Sequence, residues 1–370
     1  MSGQRPEDGY IPSLDGLRAA AVAAVMVHHA FAAGSPALLQ PLVQMGWVGV
    51  DLFFVLSGFL ITRILLQARE SPGYFRGFYT RRALRILPAY ALILALAALA
   101  GPWLEGVAWP GIRWPLYLLF VQNFARSEGV GPVLGPTWSL AIEEQFYLLW
   151  PLVVRRAGRG QLYVLLIAVL ALAPGVRLLA SLGGEGAFVK TPFRLDGLAA
   201  GALLALVATD ARLEVARLRS WSRRLMLFVL APALLGLMIF AARPASTSLL
   251  AHAFLVVRYS GLALGFAGLV GAALVPGMVP GALAWAPVRY VGRISYSIYL
   301  QHMAVLLLVG KLAPPSWLGR SVAIGLRFLI ACAVVLGTAS LSWFLLERPT
   351  LALKDRLAPA RSRSRAGPAD

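Results

Sequence analysis

Apolar residues along this chain gather repeatedly into stretches of about 20, separated by short segments rich in Arg, Gly and Pro. A helix of about 20 residues is about 30 Å long, the thickness of the hydrocarbon core of a bilayer. Ten such stretches are expected to span it: Asp15–Ala33, Trp47–Leu66, Leu84–Ala100, Trp138–Val154, Leu162–Leu182, Phe193–Ala208, Leu225–Ala242, Ala251–Val275, Val288–Gly310 and Ser321–Leu346. A further apolar piece, Trp114–Phe124, has only 11 residues and is expected to be re-entrant or interfacial. The pattern predicts an all-α, polytopic membrane protein. Its transmembrane unit covers residues 15–346, after a short segment 1–14 and before a basic, Pro/Ala/Ser-rich tail 347–370. The tail is expected to be mobile, and its charges suit anionic lipid. The first stretch does not read as a cleaved signal peptide, because nine more spans follow it and no ordinary charged segment precedes it.

Composition strengthens this reading. Hydrophobic residues make up 59% of the 370, charged residues 14%, and mean hydropathy is +0.74. Soluble domains carry about 25% charged residues, so a soluble enzyme, a disordered chain and a collagen-like repeat are excluded. The net charge of +18 comes from 31 Arg and 3 Lys. No basic stretch lies in a module able to fold in water, so topology explains the charge and nucleic-acid binding does not. With the N-terminus inside, cytoplasmic segments hold twenty Lys and Arg and outer segments six. That bias places both termini in the cytoplasm, and the expected location is a bacterial-type inner membrane. The single cysteine, Cys332, lies in an apolar run where packing is its expected role. No metal site is expected, and oligomeric state is not legible.

The remaining eight arginines fall inside spans. A charge at a helix centre costs about 2.5–3.5 kcal/mol by insertion scales, so each must face protein or a water-filled cavity. Arg18 and His29 are eleven residues apart. Eleven steps of about 100° put both on one helix face, about 16 Å apart along the axis. His28 points about 100° away. A buried histidine bonded between helices is the structural alternative for His29. Asp51 and Arg63 stand near the outer and inner ends of the second span, whose Gly49, Ser57 and Gly58 suit close packing. Arg81, Arg82 and Arg85 crowd the entry to the third; anchoring accounts for Arg81 better than for the deeper Arg85. Glu143 and Glu144 are adjacent in the fourth and point about 100° apart, so that one can line a cavity while the other meets an arginine. Asp196 is another outer carboxylate, and His302 lies nearer mid-membrane, where structural and functional roles fit equally.

A depth gradient results. His29, Asp51, Glu143 and Asp196 lie toward the outer surface, whereas Arg18, Arg63, Arg82 and Arg85 lie toward the inner one. This suits a substrate with a polyanionic head at the cytoplasmic mouth and a reactive end reaching outward. Forked arginine donors match phosphate, and histidine is a ready general base. Acyl-CoA has that shape.

These residues sit in YIPSLDGLRAAAVAAVMVHHAF, GWVGVDLFFVLSGFLITRIL, FYTRRALRILPAY, PTWSLAIEEQFYLLWP, FRLDGLAAGALLA, GRISYSIYLQHM and the closing ERP, spread from Tyr10 to Pro349. In this order they resemble the acyltransferase 3 family of integral membrane acyltransferases. The resemblance implies transfer of an acyl group, usually acetyl, from cytoplasmic acyl-CoA to a hydroxyl of an extracytoplasmic or membrane-delivered acceptor. Family acceptors include sugars of lipopolysaccharide, exopolysaccharides, peptidoglycan-linked glycans and macrolides. It implies that Arg18 and His29 are the key pair, that Arg81, Arg82 and Arg85 form the basic motif, and that Glu143 is the motif glutamate. Many members carry a fused SGNH-type domain. None is expected after ERP here, and transfer is then expected to be direct or to a separate partner protein.

The expected site therefore comprises His29, Glu143 and Asp51 as catalytic residues, with Arg18, Arg81, Arg82 and Arg85 binding acyl-CoA. Glu144, Asp196 and His302 are possible accessories. Acyl-CoA, acetyl-CoA in the first instance, enters as co-substrate, and no bound cofactor is expected. His29 acts as general base with Glu143 or Asp51 orienting it, or as nucleophile through an acyl-imidazole. Two other classes compete: a transporter of a lipid-linked or anionic substrate, and a non-catalytic membrane scaffold. The acceptor itself is not written in the sequence.

Overall fold

The computed structural model describes residues 10–31, 39–105, 114–125, 131–184, 188–210, 213–241, 249–311, 320–353 and 357. Among these there are helices and no strand. In chain order they are α1 (Pro12–Phe31), the short α2 (Gln40–Gln44), α3 (Val48–Ala68), α4 (Tyr74–Glu105), the short α5 (Trp114–Leu118), α6 (Trp138–Arg156), α7 (Arg159–Leu182), α8 (Leu195–Ala208), α9 (Val215–Leu225), α10 (Ala231–Ala241), α11 (Leu249–Ala273), α12 (Ala286–Arg293), α13 (Ser295–Gly310), α14 (Arg320–Ser342) and α15 (Arg348–Ala352). π-helical turns at Met226–Leu230 and Trp343–Glu347 join α9 to α10 and α14 to α15.

Six helical stretches among the described residues are long and apolar enough to cross a membrane: 40–68, 74–105, 159–182, 215–240, 256–273 and 322–352. Large apolar side chains face outward, as at Leu99 (83% exposed) and Phe228 (74%). Water would not tolerate such a surface and lipid solvates it, so this is an integral membrane protein. Neither α1 nor α6 is among the six. Both carry the ionisable residues singled out above, and those residues lower their hydropathy.

Several expected boundaries move. α4 begins at Tyr74, ten residues before Leu84, so Arg81, Arg82 and Arg85 all lie on one continuous helix. The stretch Val288–Gly310 is not one helix: α12 ends at Arg293 and α13 restarts at Ser295. α12 packs so tightly on α1 that a Cβ on Gly292 would lie 1.8 Å from the Asp15 carbonyl oxygen. The π turn carries the chain past Leu346 and turns Glu347 inward, where Ser297 and Ser342 donate to its carboxylate. Packed structure thus continues beyond the boundary drawn at 347. Pro88 in α4 leaves the Leu84 carbonyl without its helical partner, and the Thr350 hydroxyl lies 3.3 Å from that oxygen.

α3 lies at the centre, against α1, α6, α8 and α11. Its approach to α8 is made by small residues: a Cβ on Gly58 would lie 2.0 Å from Leu198 O, and one on Gly201 2.0 Å from Val55 O. Helix backbones come this close only where side chains are absent. The short segment around α5 turns back at Phe120, which has φ of 54°. Its backbone groups are met by protein: Gln145 donates to Phe120 O at 2.7 Å and Tyr90 to Tyr117 O at 3.0 Å. Irregular backbone needs such partners wherever water cannot supply them.

Candidate functional site

One face of α3 presents Val50, Phe53, Phe54, Ser57, Leu60 and Ile64 to a cavity of about 460 Å³. Their helical spacing carries that wall over about 20 Å. α1 contributes Asp15 and Arg18, α4 contributes Phe78, Arg81, Arg82, Arg85 and Ile86, and α6 contributes Ser139, Leu140, Glu143 and Tyr147. The broken α12–α13 pair adds Arg293, Ser295, Tyr296 and Tyr299, and α15 adds Leu351. Five arginines and two carboxylates line one space, so its field is positive. Arg18 donates to the Ser295 hydroxyl at 3.3 Å, and Arg82 lies 4.9 Å from the centre of the Tyr147 ring. Tyr10 donates to Asp15 at 2.7 Å near the exposed rim.

The other end is closed by aromatic rings. The Tyr299 hydroxyl donates to Pro136 O at 2.9 Å and meets the Ser139 hydroxyl at 2.7 Å, while its ring packs edge-on to Phe53. Beyond Tyr299 stand the histidines. The His302 ring is 5.6 Å from Tyr299 and 5.0 Å from His29. His302 is buried, whereas His29 is exposed. His29 does not line the cavity. Arg18 does, so the shared helix face expected for the pair leads from cavity to histidine without joining them in one open space.

The expected orienting carboxylates are elsewhere. Asp51 receives a hydrogen bond from Arg194 at 2.7 Å, both side chains being 4% exposed or less. Glu143 receives one from Ser57 at 2.6 Å on the cavity wall. Neither reaches His29, because each is committed to another helix. Ser57, expected to serve packing, is thereby a cavity residue. Glu144 does not line the cavity, and its buried Oε1 has no hydrogen-bond partner among the described residues. Asp196 is also committed: Arg177 donates to it at 2.9 Å and Ser260 at 2.7 Å. Arg177, Arg194 and Arg258 stand over the faces of Tyr259 at 5.4, 4.1 and 4.7 Å, a buried cluster that ties α3, α7, α8 and α11 together. Arg63 is absent from the cavity lining.

Arg293, Ser295, Tyr296 and Tyr299 line the cavity without being among the expected site residues. The usable signal was the spacing of Ser295, Tyr299 and His302, four and three residues apart, which draws one polar stripe along an otherwise apolar helix.

Residues 11–347 match the family model described as "Acyltransferase domain", and the chain belongs to that family. It is 31% identical over 368 residues to the Bacillus subtilis (strain 168) protein named "Putative peptidoglycan O-acetyltransferase YrhL", covering 92% of this chain and 55% of that one. It is 37% identical over 155 residues to "Peptidoglycan O-acetyltransferase OatA" of Listeria monocytogenes, covering 38% of this chain and 24% of the relative. The chain thus spans about half the length of the first and a quarter of the second. No solved structure matches it significantly.

Proposed function

We propose that this protein is a membrane O-acyltransferase that moves an acyl group, acetyl in the first instance, from cytoplasmic acyl-CoA to a hydroxyl of a glycan or glycosylated acceptor. The observation that carries the reading is the cavity: five arginines at one end, apolar walls, and a closed aromatic end beneath an exposed histidine. Arg18, Arg81, Arg82, Arg85 and Arg293 hold the phosphates of the coenzyme. The apolar stripe of α3 carries the pantetheine arm toward Tyr299. Tyr299 must swing for the thioester to meet His29, which takes the proton of an acceptor arriving from the opposite side. The names of both relatives favour a peptidoglycan-type glycan as acceptor. The excess of Lys and Arg in the arginine-side segments supports a cytoplasmic cavity mouth, cytoplasmic termini and a bacterial inner membrane.

The test uses purified protein in lipid nanodiscs with radiolabelled acetyl-CoA and solubilised peptidoglycan glycan chains. Label on glycan hydroxyls supports the reading. In proteoliposomes, movement of substrate without consumption of acetyl-CoA would instead make the protein a transporter. Rapid-quench mass spectrometry with acetyl-CoA alone separates the two chemical routes, since an acylated His29 peptide would replace the general-base step by an acyl-imidazole.

A further inference from the structure

The general-base step needs something to hold the His29 ring, and the two carboxylates expected to do so are bonded elsewhere. His28 does not serve either. Its Nδ1 is 3.1 Å from Val43 O, and its ring meets that of His29 edge-on. What stands against His29 is His302, whose Nε2 lies 3.2 Å from His29 Nδ1.

The backbone decides which nitrogen carries each proton. His302 Nδ1 lies 2.6 Å from Tyr299 O, and His29 Nδ1 lies 3.0 Å from Val25 O. A carbonyl oxygen only accepts, so both Nδ1 atoms are donors. In a neutral imidazole a protonated Nδ1 leaves Nε2 as the acceptor. His302 Nε2 must therefore accept from His29 Nδ1–H, which it shares with Val25 O. This assignment leaves His29 Nε2 bare and His302 with both nitrogens committed.

From this geometry, resting on the general-base reading, we infer that His302 is the positioning residue for His29, fixing its tautomer and aiming Nε2 at the acceptor hydroxyl. The step balances without any other group. The hydroxyl proton passes to His29 Nε2 as the oxygen bonds to the thioester carbonyl carbon. The C–S bond then breaks, and the proton returns to the sulfur of free CoA. While His29 holds the extra proton, its Nδ1–H bond to His302 becomes charge-assisted and strengthens. An imidazole thus occupies the place that a carboxylate holds in the familiar Ser-His-Asp arrangement. The contact to Tyr299 O lies within α13, so it holds the His302 ring in place whether or not the Tyr299 side chain moves.

The test compares His302→Leu with His302→Gln, whose amide oxygen can still accept from His29 Nδ1. Turnover is read with acetyl-CoA and peptidoglycan glycan chains in nanodiscs, with thermal midpoints recorded alongside. His302→Leu is expected to lose about 10- to 100-fold in kcat, as removal of a histidine's orienting partner does elsewhere, with KM for acetyl-CoA nearly unchanged. His302→Gln is expected to recover most of that loss. Adding His302→Leu to His29→Ala should cost nothing more. Independently of turnover, the ¹⁵N resonance of His29 Nδ1 should move in His302→Leu and return in His302→Gln. Unchanged kcat or an unmoved resonance in His302→Leu overturns the inference, as does a Gln variant as weak as Leu or a loss that persists without His29. Full turnover in His29→Ala would instead overturn the general-base reading, while the resonance would still report whether the contact exists.

Discussion

Arg194 donates to Asp51 at 2.7 Å across 143 residues of sequence, and both side chains are buried between α3 and α8. The pair is a structural tie. Removing one partner leaves an uncompensated buried charge, which costs about 3–5 kcal/mol. Asp51→Ala is therefore expected to lower the thermal midpoint in detergent sharply. The double variant Asp51→Ala/Arg194→Leu should recover part of the loss. A single variant as stable as the parent would show that the pair carries no weight.

The cavity arginines should act on donor affinity. Hydrogen bonds to charged groups are worth about 1.5–3 kcal/mol, so Arg18→Ala or Arg85→Ala should raise KM for acetyl-CoA about 10- to 100-fold. Changes in kcat should be smaller. Initial-rate kinetics check this, and a pure kcat defect at both positions would contradict a phosphate-binding role. Arg63→Ala, outside the cavity, should leave KM within about twofold of the parent, a change of less than ~0.5 kcal/mol.

Close packing of α3 on α8 is exposed to a simple substitution. A side chain at Gly201 would place its Cβ 2.0 Å from the Val55 carbonyl oxygen, a backbone atom that cannot rotate away. Gly201→Val should cost about 1–3 kcal/mol or more, read as a lower thermal midpoint and reduced yield of monodisperse protein. No described atom lies within 4 Å of a Cβ placed on Gly175, and Gly175→Ala should be neutral or better.

Much of this fold was legible because a bilayer demands long apolar runs, and those runs stand in the sequence unaided. The cavity arginines were legible for a related reason: an arginine inside an apolar run needs an explanation. The partners were not. Asp51 finds Arg194, Asp196 finds Arg177, and His29 finds His302 at 273 residues' distance, pairings that helix periodicity does not encode. Matching depth suggested that Asp51 and Glu143 serve His29, but depth says nothing of which way a helix is turned. The break at Ile294 was hidden because α12 and α13 together have the length and apolarity of one span, while the tight contact of Gly292 with α1 is a tertiary fact.

In the function proposed above, donor binding and acyl transfer sit at opposite ends of one path, with Tyr299 between them. His29→Ala tests it most directly, with acetyl-CoA affinity measured by calorimetry and transfer to glycan hydroxyls measured on the same preparation. Affinity is expected to stay within about threefold of the parent, less than ~1 kcal/mol, and transfer to fall at least 100-fold. Transfer within tenfold of the parent, or affinity and transfer lost together, would contradict that arrangement.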